Sequence, residues 1–240
     1  MKQSLLSILL LVGLAAAAVA QEAKPAWEMD TYQFLFYVKG ANWSPTVTEE
    51  TKRIQTEHLA YIGKMAETGK LVGAGPLADN VNKRGILIFH GVSLAEAKTM
   101  AEADPAVKAG RLQIEGHTWW GPKGIGAKFA EEHKQNPTAK IEMVTYQLGL
   151  LVRGAKPRTE SADALNHMQQ QHVAHIFSMA RTGKVVAAGP FGDDGDVRGL
   201  LVFTVSAEEA KAMVEPDPFI KAGYLVLELY PLMVARGVMP

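Results

Sequence analysis

Four side chains are equipped for proton chemistry: the histidines His58 and His172 and the aspartates Asp104 and Asp217. Each histidine sits near the start of almost the same stretch, EHLAYIGKMAETGKLVGAGPL from Glu57 to Leu77 and QHVAHIFSMARTGKVVAAGPF from Gln171 to Phe191. Each aspartate precedes a proline. An imidazole can act as general acid or base, because a neighbouring carboxylate favours its charged form while burial opposes it. Both residue types also have plain structural uses. A core histidine can lock a helix to a sheet, and Asp before Pro is a good N-cap for a short helical turn.

The elements that must hold these residues are written twice. His58 and His172 are 114 positions apart, and the same offset carries Glu28-Met29-x-Thr31-Tyr32-Gln33 onto Glu142-Met143-x-Thr145-Tyr146-Gln147, Gly75-Pro76 onto Gly189-Pro190, and Arg84-Gly85 onto Arg198-Gly199. After one deletion near His90 the offset is 113, and Asp104-Pro105-x-x-Lys108-Ala109-Gly110 matches Asp217-Pro218-x-x-Lys221-Ala222-Gly223. Units of about 95 residues are duplicated domains, not a solenoid array. The expected division is residues 26–120, a linker at 121–140 with a short helix, and residues 141–236.

Within a unit, Tyr32 to Val38 alternates as a strand, and Val47 to Thr68 reads as a long helix ended by Gly69 in a left-handed cap. Lys70 to Ala74 and Gly85 to His90 read as strands, the first stopped by Gly75-Pro76. Ser93-x-x-Glu96, repeated as Ser206-x-x-Glu209, is a capping box for a second helix, and Arg111 to Trp120 is the last strand. The order βαββαβ is ferredoxin-like, an α+β fold. Its open sheet face is apolar here: Tyr32, Phe34, Phe36 and Val38 share one side of the first strand, with Leu35 and Tyr37 on the other. Two such faces covering each other would bury a few hundred Å², several kcal/mol at roughly 25 cal/mol per Å². The expected architecture is two tandem units packed sheet to sheet as a pseudo-dimeric barrel.

Composition narrows the function classes. Lys2, the apolar run Leu5 to Ala17 and the small residues Ala18-Val19-Ala20 form a signal peptide over residues 1–20, implying a periplasmic or secreted protein. Without Lys2 the chain has 24 basic and 25 acidic residues, and this balance argues against nucleic acid or a membrane surface as partner. With no cysteine there are no disulfides, no thiol catalysis and no Cys-based metal site.

The run His58-Leu-Ala-Tyr-Ile, Gly69-Lys70-Leu-Val-x-Ala-Gly75-Pro76, Ala97 and Asp104-Pro105…Ala109-Gly110 resembles the YciI-like (YCII-related) family, and His172 to Gly223 carries the same signature with the fuller Asp217-Pro218-Phe219. The resemblance implies a dimeric α+β barrel, joined here in one chain. It also implies a His–Asp active site, which pairs His58 with Asp104 and His172 with Asp217. Most family members have no assigned reaction, and a few relatives act on chlorinated or hydroxylated aromatic rings. Members often carry an Arg three residues before the helix histidine; Gln55 and Gln169 stand there instead.

Other residues compete for attention. Ile54, His58, Tyr61, Ile62 and Met65 share a helical stripe, as do Met168, His172, His175, Ile176 and Met179, so both histidines should face the sheet. Gln113, Glu115 and His117 lie opposite Leu112 and Ile114, which would point Glu115 and Glu228 between the sheets, either lining a wet cavity with Gln33 and Gln147 or sitting at a solvated barrel mouth or in cross-strand pairs. His172 and His175 could share a metal, but Tyr61 matches His175 in the first unit and no third ligand is evident. Related barrels hold haem, yet no haem ligand can be singled out. No metal or cofactor is therefore expected. The functional expectation is proton transfer or elimination on a small aromatic or carbonyl compound by the two His–Asp pairs. The alternative is a non-catalytic periplasmic small-molecule-binding or structural module. The expected partner is a small molecule, with the internal pseudo-dimer free to self-associate further.

Overall fold

The computed structural model describes residues 27–78 and 82–240; the signal peptide expected over residues 1–20 lies outside them. Strand β1 (Met29–Lys39) leads to helix α1 (Glu49–Glu67), strands β2 (Leu71–Pro76) and β3 (Lys83–His90), helix α2 (Leu94–Glu102), the short helix α3 (Pro105–Lys108) and strand β4 (Leu112–Pro122). Helix α4 (Ala127–Gln135) makes the connection. The order then recurs as β5 (Met143–Arg153), α5 (Ala162–Arg181), β6 (Val185–Pro190), β7 (Val197–Phe203), α6 (Ala207–Val214), α7 (Pro218–Ala222) and β8 (Leu225–Ala235). Two antiparallel four-stranded sheets result, ordered β2-β3-β1-β4 and β6-β7-β5-β8. Both are ferredoxin-like.

Local chemistry sets the element ends. Helix α1 begins at Glu49, not Val47, because Thr48 caps it: the Thr48 hydroxyl accepts from the Thr51 amide, and the Thr51 hydroxyl accepts from the Thr48 amide. Gly69 ends it at φ 69°, as expected. The Ser93–Glu96 box is complete, whereas at Ser206 only the serine half forms, because the Glu209 carboxylate is taken by Lys184 at 2.7 Å.

Alternation along β1 feeds two cores. Tyr32, Phe34, Phe36 and Val38 join Trp119, Leu148, Leu150, Phe191, Leu200 and Val202 in one apolar core between the sheets. Leu35 and Tyr37 face the other way, into the layer between sheet and helices with Met65, Leu87, Phe89, Ala97 and Ala101. The second unit has a matching outer layer around Met179, Leu201, Phe203, Val214 and Phe219. The two units therefore pack sheet to sheet as a pseudo-dimeric barrel.

The sheets also meet along their edges. The Ala78 amide donates to the Pro231 carbonyl at 2.8 Å and the Gly192 amide to the Thr118 carbonyl at 2.9 Å, so β2 abuts β8 and β6 abuts β4. This covers edges that would otherwise be open to foreign strands. The repeated Gly-Pro has its reason here. A Cβ on Gly75 would lie 1.8 Å from the Met233 carbonyl oxygen, and one on Gly189 1.8 Å from that of Trp120. Both glycines are strand residues at the seam between units, not simple stops.

Candidate active site

Helix α1 turns Ile54, His58 and Met65 toward its sheet, and the end of α2 brings Asp104 beneath it as the N-cap of α3. His58 Nδ1–H donates to Asp104 Oδ2 at 2.7 Å. The Tyr37 hydroxyl, rising from β1, donates to the same oxygen at 2.8 Å, and the Ala106 amide donates to Oδ1 at 2.7 Å. Asp104 is fully buried and His58 is 9% exposed. Burial and the adjacent Asp104 charge push the Tyr37 phenol well above its ordinary range, so it remains a hydrogen-bond donor.

The second unit repeats the pair with different neighbours. His172 Nδ1–H donates to Asp217 Oδ2 at 2.6 Å, and Asp217 Oδ1 accepts from the amides of Phe219 at 2.9 Å and Ile220 at 3.4 Å. Burial opposes ionisation of Asp217, but the bond from His172, its charge and the two amides outweigh it and hold the carboxyl below the usual range. Leu151 occupies the place of Tyr37, so no phenol reaches this carboxylate. An aromatic edge contact survives by another route: Tyr37 meets His58 at 5.3 Å, whereas Phe219, at the position of Ala106, meets His172 at 5.4 Å.

In both dyads the carboxylate fixes the tautomer and leaves Nε2 as the ring nitrogen without a hydrogen-bond partner among the described residues. Neither Nε2 is sealed from solvent, since the only fully buried side-chain polar atom lacking a partner among the described residues is Trp119 Nε1. A nitrogen held in this way can accept or deliver a proton at the surface while the buried carboxylate stabilises the imidazolium.

Residues 35–115 match the family model of the YCII-related domain. The matched span lies within the first unit and covers most of it. His58 and Asp104 lie inside the matched span of that domain, and the second dyad lies beyond it. No curated protein matches the chain. Among solved structures the chain is similar to chlorite dismutase from Candidatus Nitrospira defluvii. An arginine variant is 12% identical over 88% of this chain and 92% of that one, with a TM-score of 0.52. The complex with imidazole is 12% identical over 90% and 93%, with a TM-score of 0.51. A tryptophan variant bound to cyanide is 11% identical over 90% and 93%, with a TM-score of 0.52. At this identity the likeness is one of fold, and it spans both units of the barrel.

A haem placed between the sheets would collide with the buried apolar side chains that fill that gap. The two-histidine metal reading also fails: His175 Nε2–H donates to the Met213 carbonyl at 2.8 Å, as the Tyr61 hydroxyl donates to that of Met100 at 2.9 Å. His175 and Tyr61 tie equivalent helices together, and among the described residues no group of three His, Asp or Glu side chains is arranged to hold a metal ion.

The glutamines are also placed differently from expectation. Gln33 lies on the helix side of its sheet, where it donates to the Val92 carbonyl at 3.1 Å and accepts from Thr118 at 2.9 Å, because alternation separates it from Phe34. Strand parity puts Gln147 on the same side of its own sheet. Glu115 does face inward, but into a cluster that joins the units. His117 lies between Asp193 Oδ2 at 2.7 Å and Glu115 Oε1 at 3.3 Å, and its ring stacks on Phe191 at 4.5 Å.

Sequence reading missed two partners. Tyr37 was legible in part, since a hydroxyl on a buried strand face needs an acceptor. Asp193 was not, because its partner is 76 residues away on the other unit and no local pattern marks it.

Proposed function

We propose that the protein is an exported catalyst of proton transfer or elimination on a small aromatic or carbonyl compound, with His58 and His172 as general acid–base groups and Asp104 and Asp217 as the residues that orient them. The observation carrying this reading is the pair of Nδ1–carboxylate contacts at 2.7 and 2.6 Å, which commit one ring nitrogen to a buried acid and leave the other available. Architecture alone does not require it, because an apolar side chain would fill either helix stripe. The test uses a panel of enolisable carbonyl compounds and hydroxylated or chlorinated aromatics in deuterated water, followed by proton NMR. Exchange or elimination should occur with the native chain and disappear in the double variant His58→Gln, His172→Gln, with Tm nearly unchanged.

One observation favours a second reading, a binding or structural module without turnover. Both aspartates also cap a helix through Oδ1, and both histidine side chains are only 11% and 12% exposed, which suits a lock between α1 and α3 or α5 and α7. A large fall in Tm in the double variant, with no reaction detected in the native chain, would decide for the lock.

A further inference from the structure

Beside the second dyad lies a cleft of about 400 Å³ lined by Arg153, Lys156, Arg158, Arg198 and Tyr224. It is open because of one substitution between the units. The loop reads Lys39-Gly-Ala-Asn42-Trp43-Ser44 in the first unit and Arg153-Gly-Ala-Lys156-Pro157-Arg158 in the second. In the first unit the Trp43 indole occupies this region, with Lys39 Nζ 4.1 Å and the Arg84 guanidinium 5.8 Å from its ring centre. Pro157 is too small to do so, and Lys156 and Arg158 add two cations where the first unit has Asn42 and Ser44.

The cations are of two kinds. Arg153 and Arg198 are held by the 193–196 turn: Arg153 donates to the Asp194 carbonyl, and Arg198 to the carbonyls of Asp193 and Gly195, at 3.1 to 3.2 Å. The Asp194 and Asp196 carboxylates approach these two arginines at 3.3 and 3.6 Å but extend into solvent, 99% and 85% exposed, where pairing is weak. Arg158 and Lys156 make no ion pair among the described residues. Arg158 instead lies over the rings of Phe219 and Tyr224, at 5.3 and 5.9 Å. Phe219 is the ring that touches His172, so a single phenyl group separates this guanidinium from the dyad. At the rim, the Tyr224 hydroxyl donates to Glu160.

We propose that this cleft is a binding site for a small aromatic carboxylate, its anion held by Arg158 and Lys156 and its ring lying against Tyr224. A guanidinium fork suits a carboxylate, and an aromatic wall favours a flat ligand over a compact oxyanion. The assignment goes beyond the proton-transfer reading. Only the idea that the bound anion is presented to His172 rests on that reading; binding itself does not.

The experiment titrates benzoate, benzyl alcohol and inorganic phosphate separately into the full chain by calorimetry. Benzoate should bind and weaken with added salt, while the neutral alcohol and phosphate should each bind at least about tenfold more weakly. Arg158→Gln and Lys156→Gln should each weaken benzoate by about tenfold or more, and Glu160→Gln should tighten it. Pro157→Trp keeps every charge and should abolish binding by filling the cleft as Trp43 does. His172→Gln should leave benzoate affinity unchanged, so a failure of the proton-transfer reading does not touch this site. Benzoate affinity indifferent to Arg158→Gln and Pro157→Trp would overturn the proposal, as would phosphate binding as tightly as benzoate, or no benzoate binding.

Discussion

Tyr37 and His58 donate to the same oxygen, Oδ2 of Asp104, at 2.8 and 2.7 Å. The equivalent oxygen of Asp217 receives His172 at 2.6 Å, and Leu151 stands where the phenol would be. The first carboxylate is therefore shared between a phenol and an imidazole, the second committed to its imidazole. Removing the phenol should make the units alike. Tyr37→Phe is expected to cost about 2 kcal/mol, the range for losing a hydrogen bond to a buried charged group. Urea unfolding of the native chain and the variant checks this; no measurable loss of stability would show that the phenol contributes nothing to the dyad.

The barrel seam makes a sharper demand on sequence. Gly75→Ala places a methyl group 1.8 Å from the Met233 carbonyl oxygen, and Gly189→Ala does the same against Trp120. Backbone at a strand edge cannot retreat without opening the seam, so each substitution should cost at least about 4 kcal/mol, in the range reserved for severe defects. Gly63 is the internal control. It lies on α1 with nothing within 4 Å of a built Cβ, and Gly63→Ala should stabilise the chain by about 1 kcal/mol through helix propensity. Thermal melts of the three variants give the comparison, and a mild Gly75→Ala would refute the close approach.

A half-chain of residues 27–122 should not survive as a monomer. Its sheet would expose Phe34, Phe36, Ile86, Ile88 and Trp119, which the second unit now covers. Exposed apolar patches of that kind drive association. The expected product is a homodimer rebuilding the barrel from two first units, visible by analytical ultracentrifugation. A stable monomeric half would contradict the shared core.

Much of this was readable beforehand, and the division is physical. Alternation in Tyr32–Val38 and the doubled chain led to two sheets with a shared apolar face, because strand parity and burial are properties of neighbouring residues. The positions of His58 and Asp104 followed from a helix stripe and an Asp-Pro cap, both local patterns. Local patterns do not say which groups meet across the interface. Gly75 has the local pattern of a strand stop, because the Met233 carbonyl it must admit belongs to the other unit. Gln33 groups by chemistry with Glu115, but the parity that separates it from Phe34 sends it to the helix side. The open cleft at Arg158 was likewise hidden, since it depends on what Trp43 fills in the first unit and Pro157 does not in the second.

His117 gives a prediction in pH. Burial works against its charged form, but the Glu115 and Asp193 carboxylates outweigh it and raise its pKa above the ordinary value. The bond from His117 holds Glu115 below its ordinary range, helped by Lys83 at 3.6 Å; Asp193 is also held low, despite burial, by the same imidazole. For the raised histidine, the stabilising contribution is complete below the unfolded value of about 6.5 and fades as pH rises through the folded one. For the lowered carboxylates, it is complete above unfolded values of about 4 and fades as pH falls through the folded ones. The cluster that joins the units should thus contribute most between about pH 4.5 and 6.5. His117→Asn keeps an amide donor but cannot be charged, so the Tm gap between native and variant should be widest near pH 5.5 and shrink on both sides. Tyr230, which burial and the Glu228 carboxylate keep protonated well above its ordinary value, does not titrate in this window. A Tm gap that is flat from pH 4 to 9 would mean that His117 acts by packing on Phe191 rather than by its charge.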